Sequence, residues 1–446
     1  MGSTLSTGCD FDATLERGHS VLRQGLPVYA RAEILGGVSE LLSRDREQVA
    51  QLICREVDKP IKLARLEVDR AVGTFAVAAA VARTRTTMAH AMDALPAGTD
   101  KLAFSIPVAM GLVAAITPFN FPINLVAHKL APALAAGCPV VLKPAPRATG
   151  CALALASLFD EAGLPDGWLA VLDGPAEQLG EVLTADERIA VITFTGSTTV
   201  GWHLAERAAR KKVLLELGNS APAIVHRDAD IERAAELLAR NSFAYAGQSC
   251  VSVQRIYVHE QIVDHFLEQL LLATRHQVIG DPSNEAVDVG PVIDDRAAER
   301  LRGWIAEALG LGAHLATGGG GAGRHVEPTV LVDVPHASPL IQCEAFGPVV
   351  SVGTFDALDD AIDASNDTPY GLQAAVFTRD LNVALTAARA LQFGGVLINE
   401  APTFRADNAP YGGGGDSGNT REGPAAAVAE LTEDRLVVLQ TAGHGT

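Results

Sequence analysis

Between residues 110 and 217 the sequence alternates between two rhythms, and that alternation limits the folds open to it. Short apolar runs occupy 110–116, 140–142, 169–172, 189–194 and 213–217. Segments at helical spacing separate them, at about 123–136, 151–162, 177–183 and 200–209. A run that is apolar at successive positions suits a strand buried on both faces, and strands joined through helices lie parallel. The pattern therefore predicts a parallel sheet covered by helices on both sides.

A second series begins near Gly218. It contains strands at 223–225, 255–258 and 349–354, with helices at 231–246, 261–276, 294–309 and 358–366. Two long helices, at about 30–57 and 62–91, precede both series. Strands at 102–107 and 110–116 read as a pair around a turn, and a last strand is expected at 431–439. The glycine-rich stretch 318–323 lies between two elements and opens no helix, so it reads as a flexible loop. A chain of 446 residues has room for two or three domains or one large α/β assembly.

Charge and composition narrow the partners. A formal net charge of −18 repels phosphate backbones, so no nucleic-acid partner is expected. The N-terminus has no basic segment followed by an apolar one, and the longest apolar stretch, 108–116, is too short to span a bilayer. The expectation is a soluble, cytoplasmic protein with no membrane partner. The six cysteines show neither CxxC spacing nor a histidine at a zinc-like interval, which argues against a metal site. Free buried thiols are the default for them.

One thiol stands apart. In FAYAGQSCVSVQRIYV, residues 243–258, Cys250 separates a small polar run from an alternating apolar one. It is either a small core residue or a nucleophile at the edge of a strand.

The motifs PFNFP (118–122), VLKPA (141–145), FTGS (194–197), LELG (215–218), GQSC (247–250), EAFGPV (344–349) and NDTPYGL (366–372) occur in this order. Together they resemble the NAD(P)-dependent aldehyde dehydrogenase superfamily, over about residues 31–439. The resemblance implies two doubly wound parallel-sheet domains, one Rossmann-like for the cofactor and one catalytic, with a small oligomerisation β-extension. The cofactor domain would take 1–98 and 113–218, the catalytic domain 219–425, and the oligomerisation strands 99–112 and 426–446. A homodimer or homotetramer is expected, since the strands near 101–116 and at 431–439 match the family's subunit-bridging sheet. The implied chemistry is oxidation of a small aldehyde, anionic or hydroxylated, to the acid through a cysteine thiohemiacetal and thioester.

By the same resemblance Cys250 is the nucleophile. Asn120 and the Cys250 backbone N–H form the oxyanion hole, and Glu216 is the base for the deacylating water. Each has a plainer reading: Asn120 as a turn cap between prolines, Glu216 as a salt bridge to Lys211 or Arg210. An acid at the end of the apolar run 213–217 is out of pattern for a buried strand and invites an explanation. Relatives that pass the acyl group to coenzyme A generally lack this acid, so Glu216 favours hydrolysis. A CoA-acylating enzyme and a non-catalytic cofactor-binding or structural member of the fold remain the alternatives.

The cofactor, NAD or NADP, is matched by Lys143, Gly196, Ser197, Glu344 and Phe346, with Thr117, Pro118, Phe119 and Leu217 completing the set. Lys143 would reach the adenosine ribose, or else is a solvated strand end. Many NAD-preferring relatives carry a Glu three residues after this Lys; here stand Pro146 and then Arg147. The 2′-phosphate of NADP therefore meets no repelling acid. The stretch APTFRADNAPYGG (401–413) resembles the lactaldehyde and phosphonoacetaldehyde dehydrogenase branch. Its Arg405 would anchor the substrate's polar end, or pair with Asp407. Ser249 sits beside the nucleophile in the substrate pocket, where some anion-handling relatives carry Arg. His128 and His203 read as satisfied surface or core residues. Only about thirty residues precede the first predicted helix, which leaves one edge of the cofactor sheet less covered than in the family.

Overall fold

A computed structural model describes residues 5–7, 11–208 and 210–441. It opens with a short strand, β1 (Leu5–Thr7), and four helices: α1 (Phe11–Gln24), α2 (Val28–Arg44), α3 (Arg46–Val57) and α4 (Ile61–Thr84). Strands β2 (Met88–His90) and β3 (Lys101–Ala109) come next. The predicted alternation follows as β4 (Leu112–Ile116), α5 (Asn124–Ala136), β5 (Val140–Lys143), α6 (Thr149–Glu161), β6 (Leu169–Asp173), α7 (Ala176–Ala185), β7 (Ile189–Thr195), α8 (Thr198–Arg207) and β8 (Lys212–Glu216).

These strands form a six-stranded parallel sheet in the order β1-β6-β5-β4-β7-β8. The order reverses direction at β4, between β5 and β7. Loops at the carboxyl ends of neighbouring strands part there and leave a crevice, the usual ligand position in such sheets. Helix α5 fills one face so completely that all its residues are buried, which is why it reads as apolar all round. It ends at Gly137, whose φ of +91° is cheap only for glycine.

The second series builds a seven-stranded sheet. Its strands are β9 (Ala221–Val225), β10 (Val253–His259), β11 (His314–Thr317), β12 (Thr329–Val332), β13 (Val349–Phe355), β15 (Gln373–Phe377) and β16 (Gly395–Ile398), with β14 (Tyr370–Gly371) outside it. The order is β11-β12-β13-β10-β9-β15-β16, with only the β11–β12 pair antiparallel. Helix α9 (Ile231–Phe243) packs its Ala234, Leu238 and Phe243 into this sheet's core.

Several expectations need correction. The strands near 101–116 do not pair with one another. Beyond Gly111, at φ +148°, the chain leaves one sheet and enters another. β3 instead pairs antiparallel with β2 and with the final strand, Thr432–Gln440. The helix expected at 30–57 is two, broken at Asp45. The one expected over 62–91 stops at Thr84. At the edge expected to be less covered, β1 pairs parallel with β6 and α1 packs Leu15 against Leu112 and Ala114. Of the cysteines, Cys9 lies outside the described residues; Cys54, Cys138 and Cys151 are buried, Cys250 is partly buried and Cys343 is exposed, all free. No helix among the described residues is long and apolar enough to cross a membrane.

Candidate active site

Cys250 follows an unusual piece of backbone. Tyr245, Ala246 and Gly247 have φ of +51°, +52° and +67°, three consecutive left-handed residues. Such a conformation costs about 1–2 kcal/mol per non-glycine residue. At Gly247 a side chain is excluded, since a Cβ would lie 2.1 Å from the Gly347 carbonyl. The Tyr245 hydroxyl pins the turn by donating to the Val57 carbonyl at 2.7 Å.

The sulfur then sits where two cavities meet. One, of about 380 Å³, is lined by Asn120, Gly196, Glu216, Glu344, Phe346 and Cys250, among others. The other, of about 400 Å³, is lined by Ser249, Cys250, Arg405, Tyr411 and residues of α4 and α9. On the second side the Tyr411 hydroxyl lies 3.3 Å from the sulfur. Burial, then the nearby Glu216 carboxylate, push the thiol well above its ordinary range.

Asn120 is buried, and its amide donates to the Gln248 carbonyl at 3.0 Å, tying its loop to the one that carries Cys250. That is a tertiary bond, not a local turn cap. The second amide N–H is left over for another acceptor.

Glu216 ends β8 with 1% of its surface exposed, and neither carboxyl oxygen has a hydrogen-bond partner among the described residues. No ion pair to Lys211 forms, because that ammonium donates to the Asp186 and Ile189 carbonyls. Burial raises the Glu216 carboxyl to about 8, helped by the like charge of Glu422 and opposed by Arg405 and Lys129. An unpaired carboxyl with a proton affinity near neutrality suits a base that takes and returns a proton.

The first cavity has the features of a nucleotide cleft. Gly196 and Gly218 present bare backbone to it, and a Cβ would strike the Phe194 ring at one and the Glu344 carboxylate at the other. Ser197 precedes α8 without capping it, leaving the helix's first N–H groups open to an anion. Thr117 and Thr195 hold buried, unpartnered hydroxyls. Burial lifts the Glu344 carboxyl to about 7, although it accepts the Asn219 N–H at 3.2 Å. Phe346 stacks edge-on to Phe119, with ring centroids 6.0 Å apart. Pro118, Phe119 and Leu217 share this lining; Thr117, Lys143, Pro146 and Arg147 lie outside it. Lys143 is buried and bonds the Pro144 carbonyl at 2.6 Å, so it is not a solvated strand end. Pro146 and Arg147 are exposed just ahead of α6.

Arg405 lies face-on to Tyr411, its guanidinium carbon 3.9 Å from the ring centroid. Its main partner is Glu422, at 3.0 Å, with Asp407 farther off at 3.6 Å. Asp407 is engaged instead by Arg70 at 2.8 Å, His128 at 2.8 Å and Asn124 at 3.2 Å. His128 is a member of this buried network, held down to about 4 by burial and then by Arg405. Arg240, on α9, also lines the second cavity and has no ion-pair or hydrogen-bond partner among the described residues. Sequence reasoning missed Tyr411, Arg240, Thr195 and Arg300, the last two in the first cavity. A tyrosine among glycines or an arginine on a helix carries no local mark of a pocket.

Known proteins resemble this chain in sequence and in fold. Residues 9–437 match the aldehyde dehydrogenase family. The 3-sulfolactaldehyde dehydrogenase of Priestia megaterium is 43% identical over 436 residues, 98% of this chain and 91% of that one. Aldehyde dehydrogenase 21 from Physcomitrella patens, solved with the reaction product succinate, superposes at TM-score 0.96 with 37% identity, covering 99% of this chain and 92% of the other. A glyceraldehyde-3-phosphate dehydrogenase from Methanocaldococcus jannaschii, complexed with NADP, gives 0.94 with 35% identity, covering 98% and 95%.

Proposed function

The chain belongs to the aldehyde dehydrogenase family, and on that premise we propose that it oxidises a small anionic aldehyde to its carboxylic acid with NAD(P). The observation that carries this reading is the sulfur on the wall between two cavities, one glycine-lined and one bearing unpaired positive charge.

The aldehyde enters from the Arg405 side. The Cys250 sulfur bonds to the carbonyl carbon as its thiol proton leaves to solvent water in the cleft. Asn120 and the Cys250 N–H stabilise the oxyanion of the thiohemiacetal. Oxidised nicotinamide, when bound, supplies the hydride acceptor. Loss of hydride leaves a thioester on Cys250. Glu216, in its carboxylate form, takes a proton from a water whose oxygen attacks the thioester carbonyl. The C–S bond breaks, the proton held by Glu216 passes to the departing sulfur, and the acid is released with the Cys250 thiol restored. Gly196, Ser197, Glu344 and Phe346 are assigned to the cofactor, with Lys143 and Thr117 toward its ribose.

Each of the three similar proteins carries an anionic group in its named ligand: sulfonate, succinate or phosphate. In this chain Arg405 contributes positive potential from behind Tyr411, Ser249 faces the substrate, and Arg240 takes the distal anion. A panel of short aldehydes tests this. Turnover at the reduced-nicotinamide absorbance band should favour sulfonate-, carboxylate- or phosphate-bearing aldehydes over neutral ones. Arg240→Ala should raise KM for the anionic members about tenfold or more, the worth of a charge-assisted hydrogen bond, and leave neutral ones unchanged. Equal use of neutral aldehydes by the parent would refute the substrate class.

NADP is accepted in this reading because Arg147 is exposed and has no carboxylate partner among the described residues. Arg147→Ala should weaken NADP about tenfold relative to NAD, read from KM for each cofactor. An unchanged ratio would leave the 2′-phosphate without this contact. We also assign assembly as a homodimer or homotetramer to the sheet of β2, β3 and the final strand, where Leu102, Leu436 and Val438 are exposed. The domain division at residue 218 rests on the change of sheet between β8 and β9. A cytoplasmic location rests on the free thiols.

A further inference from the structure

Glu67 and Lys59 form an ion pair with almost no exposed surface, set beside the site. Two full charges are costly to bury, so their connections matter. One Glu67 oxygen accepts the Ile123 N–H at 2.8 Å and the Asn124 N–H at 3.1 Å. These are open donors at the start of α5, and Ile123 supplies no side-chain cap of its own. Helix α5 therefore takes its cap from α4, and that cap fixes the end of the loop carrying Asn120.

The other Glu67 oxygen takes the Lys59 ammonium. That ammonium also lies over two rings, 3.7 Å from the Phe121 centroid and 4.8 Å from that of Tyr245. Phe121 is next to Asn120. Tyr245 belongs to the left-handed turn ahead of Cys250, which is tied at its hydroxyl to Val57, two residues before Lys59. The oxyanion donors thus hang from two segments distant in sequence, and one buried ion pair touches both.

We propose that Lys59 and Glu67 are positioning residues that hold the Asn120 loop and the Cys250 turn in register, so that their two N–H groups converge on the developing oxyanion. The proposal rests on the aldehyde-oxidising reading. Both side chains border the second cavity but are only 1% and 0% exposed, so the pair acts through the two segments it holds and its main effect falls on the transition state.

The test uses Glu67→Ala in the full chain. The expected result is a fall in kcat of about 10–100-fold with KM within about threefold, and an equally slowed single-turnover hydride burst, as for a misplacement near 1 Å. Combined with Asn120→Ala, the losses should be less than additive, because one of the two donors that the pair holds is then already gone. Additive losses, or an unchanged burst, would overturn the proposal. If Glu67→Ala does not fold, Glu67→Gln keeps an acceptor for α5 but breaks the ion pair. It should show the same kcat-only loss at about three- to tenfold, and no loss would count against the idea. A parent protein without aldehyde-dependent burst would refute the underlying activity; an active parent with an indifferent Glu67 variant refutes only this inference.

Discussion

Cys250→Ala should abolish aldehyde-dependent nicotinamide reduction, by on the order of 10⁵-fold or more, the scale seen when a covalent nucleophile is removed. No neighbour replaces it. Ser249 lines only the second cavity, and Tyr411, the group nearest the sulfur, is a phenol that burial pushes still higher. The change removes one sulfur from the cofactor cavity and leaves its other lining residues in place, so titration with reduced cofactor, followed by its fluorescence, should give a dissociation constant within about threefold of the parent's. Retained turnover would remove the sulfur from the mechanism. Loss of both activities would mean that the wall between the cavities had collapsed.

Glu216→Gln should separate the two halves of the reaction. Hydride release needs a thiol and an oxyanion hole, whereas hydrolysis needs a base. The expected outcome is a preserved burst of reduced cofactor followed by turnover slowed about 10²–10⁴-fold. Proton affinity gives the pH signature. The carboxylate is the working form, and burial holds its proton up to about 8. Parent kcat should therefore rise with pH and level off above that value, and the Gln variant should lack this limb. Stability moves the other way. Between the ordinary carboxylate range and about pH 8, the folded chain keeps a proton that the unfolded chain has released. Stability from this group accordingly falls as pH rises through that window. Melting curves should show Glu216→Gln more stable than the parent above pH 8, with the difference shrinking toward pH 6. Unchanged steady-state turnover would dismiss Glu216 as the base.

The central parallel strands were readable because strands covered on both faces are apolar at successive positions, as 112–116 is. Edge elements were not. β1 has three residues, too few to show a period, and α1 is amphipathic but mostly polar, with Leu15 its one fully buried apolar side chain. The break at Asp45 escaped notice because apolar spacing continues across it on both helices. Cys250, Asn120 and Glu216 stood out through short motifs, which fix local backbone and chemistry together. The partner of Arg405 did not: Asp407 was nearer in sequence, but the fold gives Asp407 to Arg70 and His128 and leaves Glu422 for the guanidinium. Such pairings are decided by which loops the sheets bring together, and a linear reading has no access to that.

A sulfur approached through two separate chambers also governs traffic. Aldehyde and dinucleotide need never pass one another, and the acid and the spent carrier depart by different doors. A slow exit on one side does not lock the other. Enlarging either chamber by mutation should therefore retune one ligand's comings and goings while its counterpart keeps its own timetable.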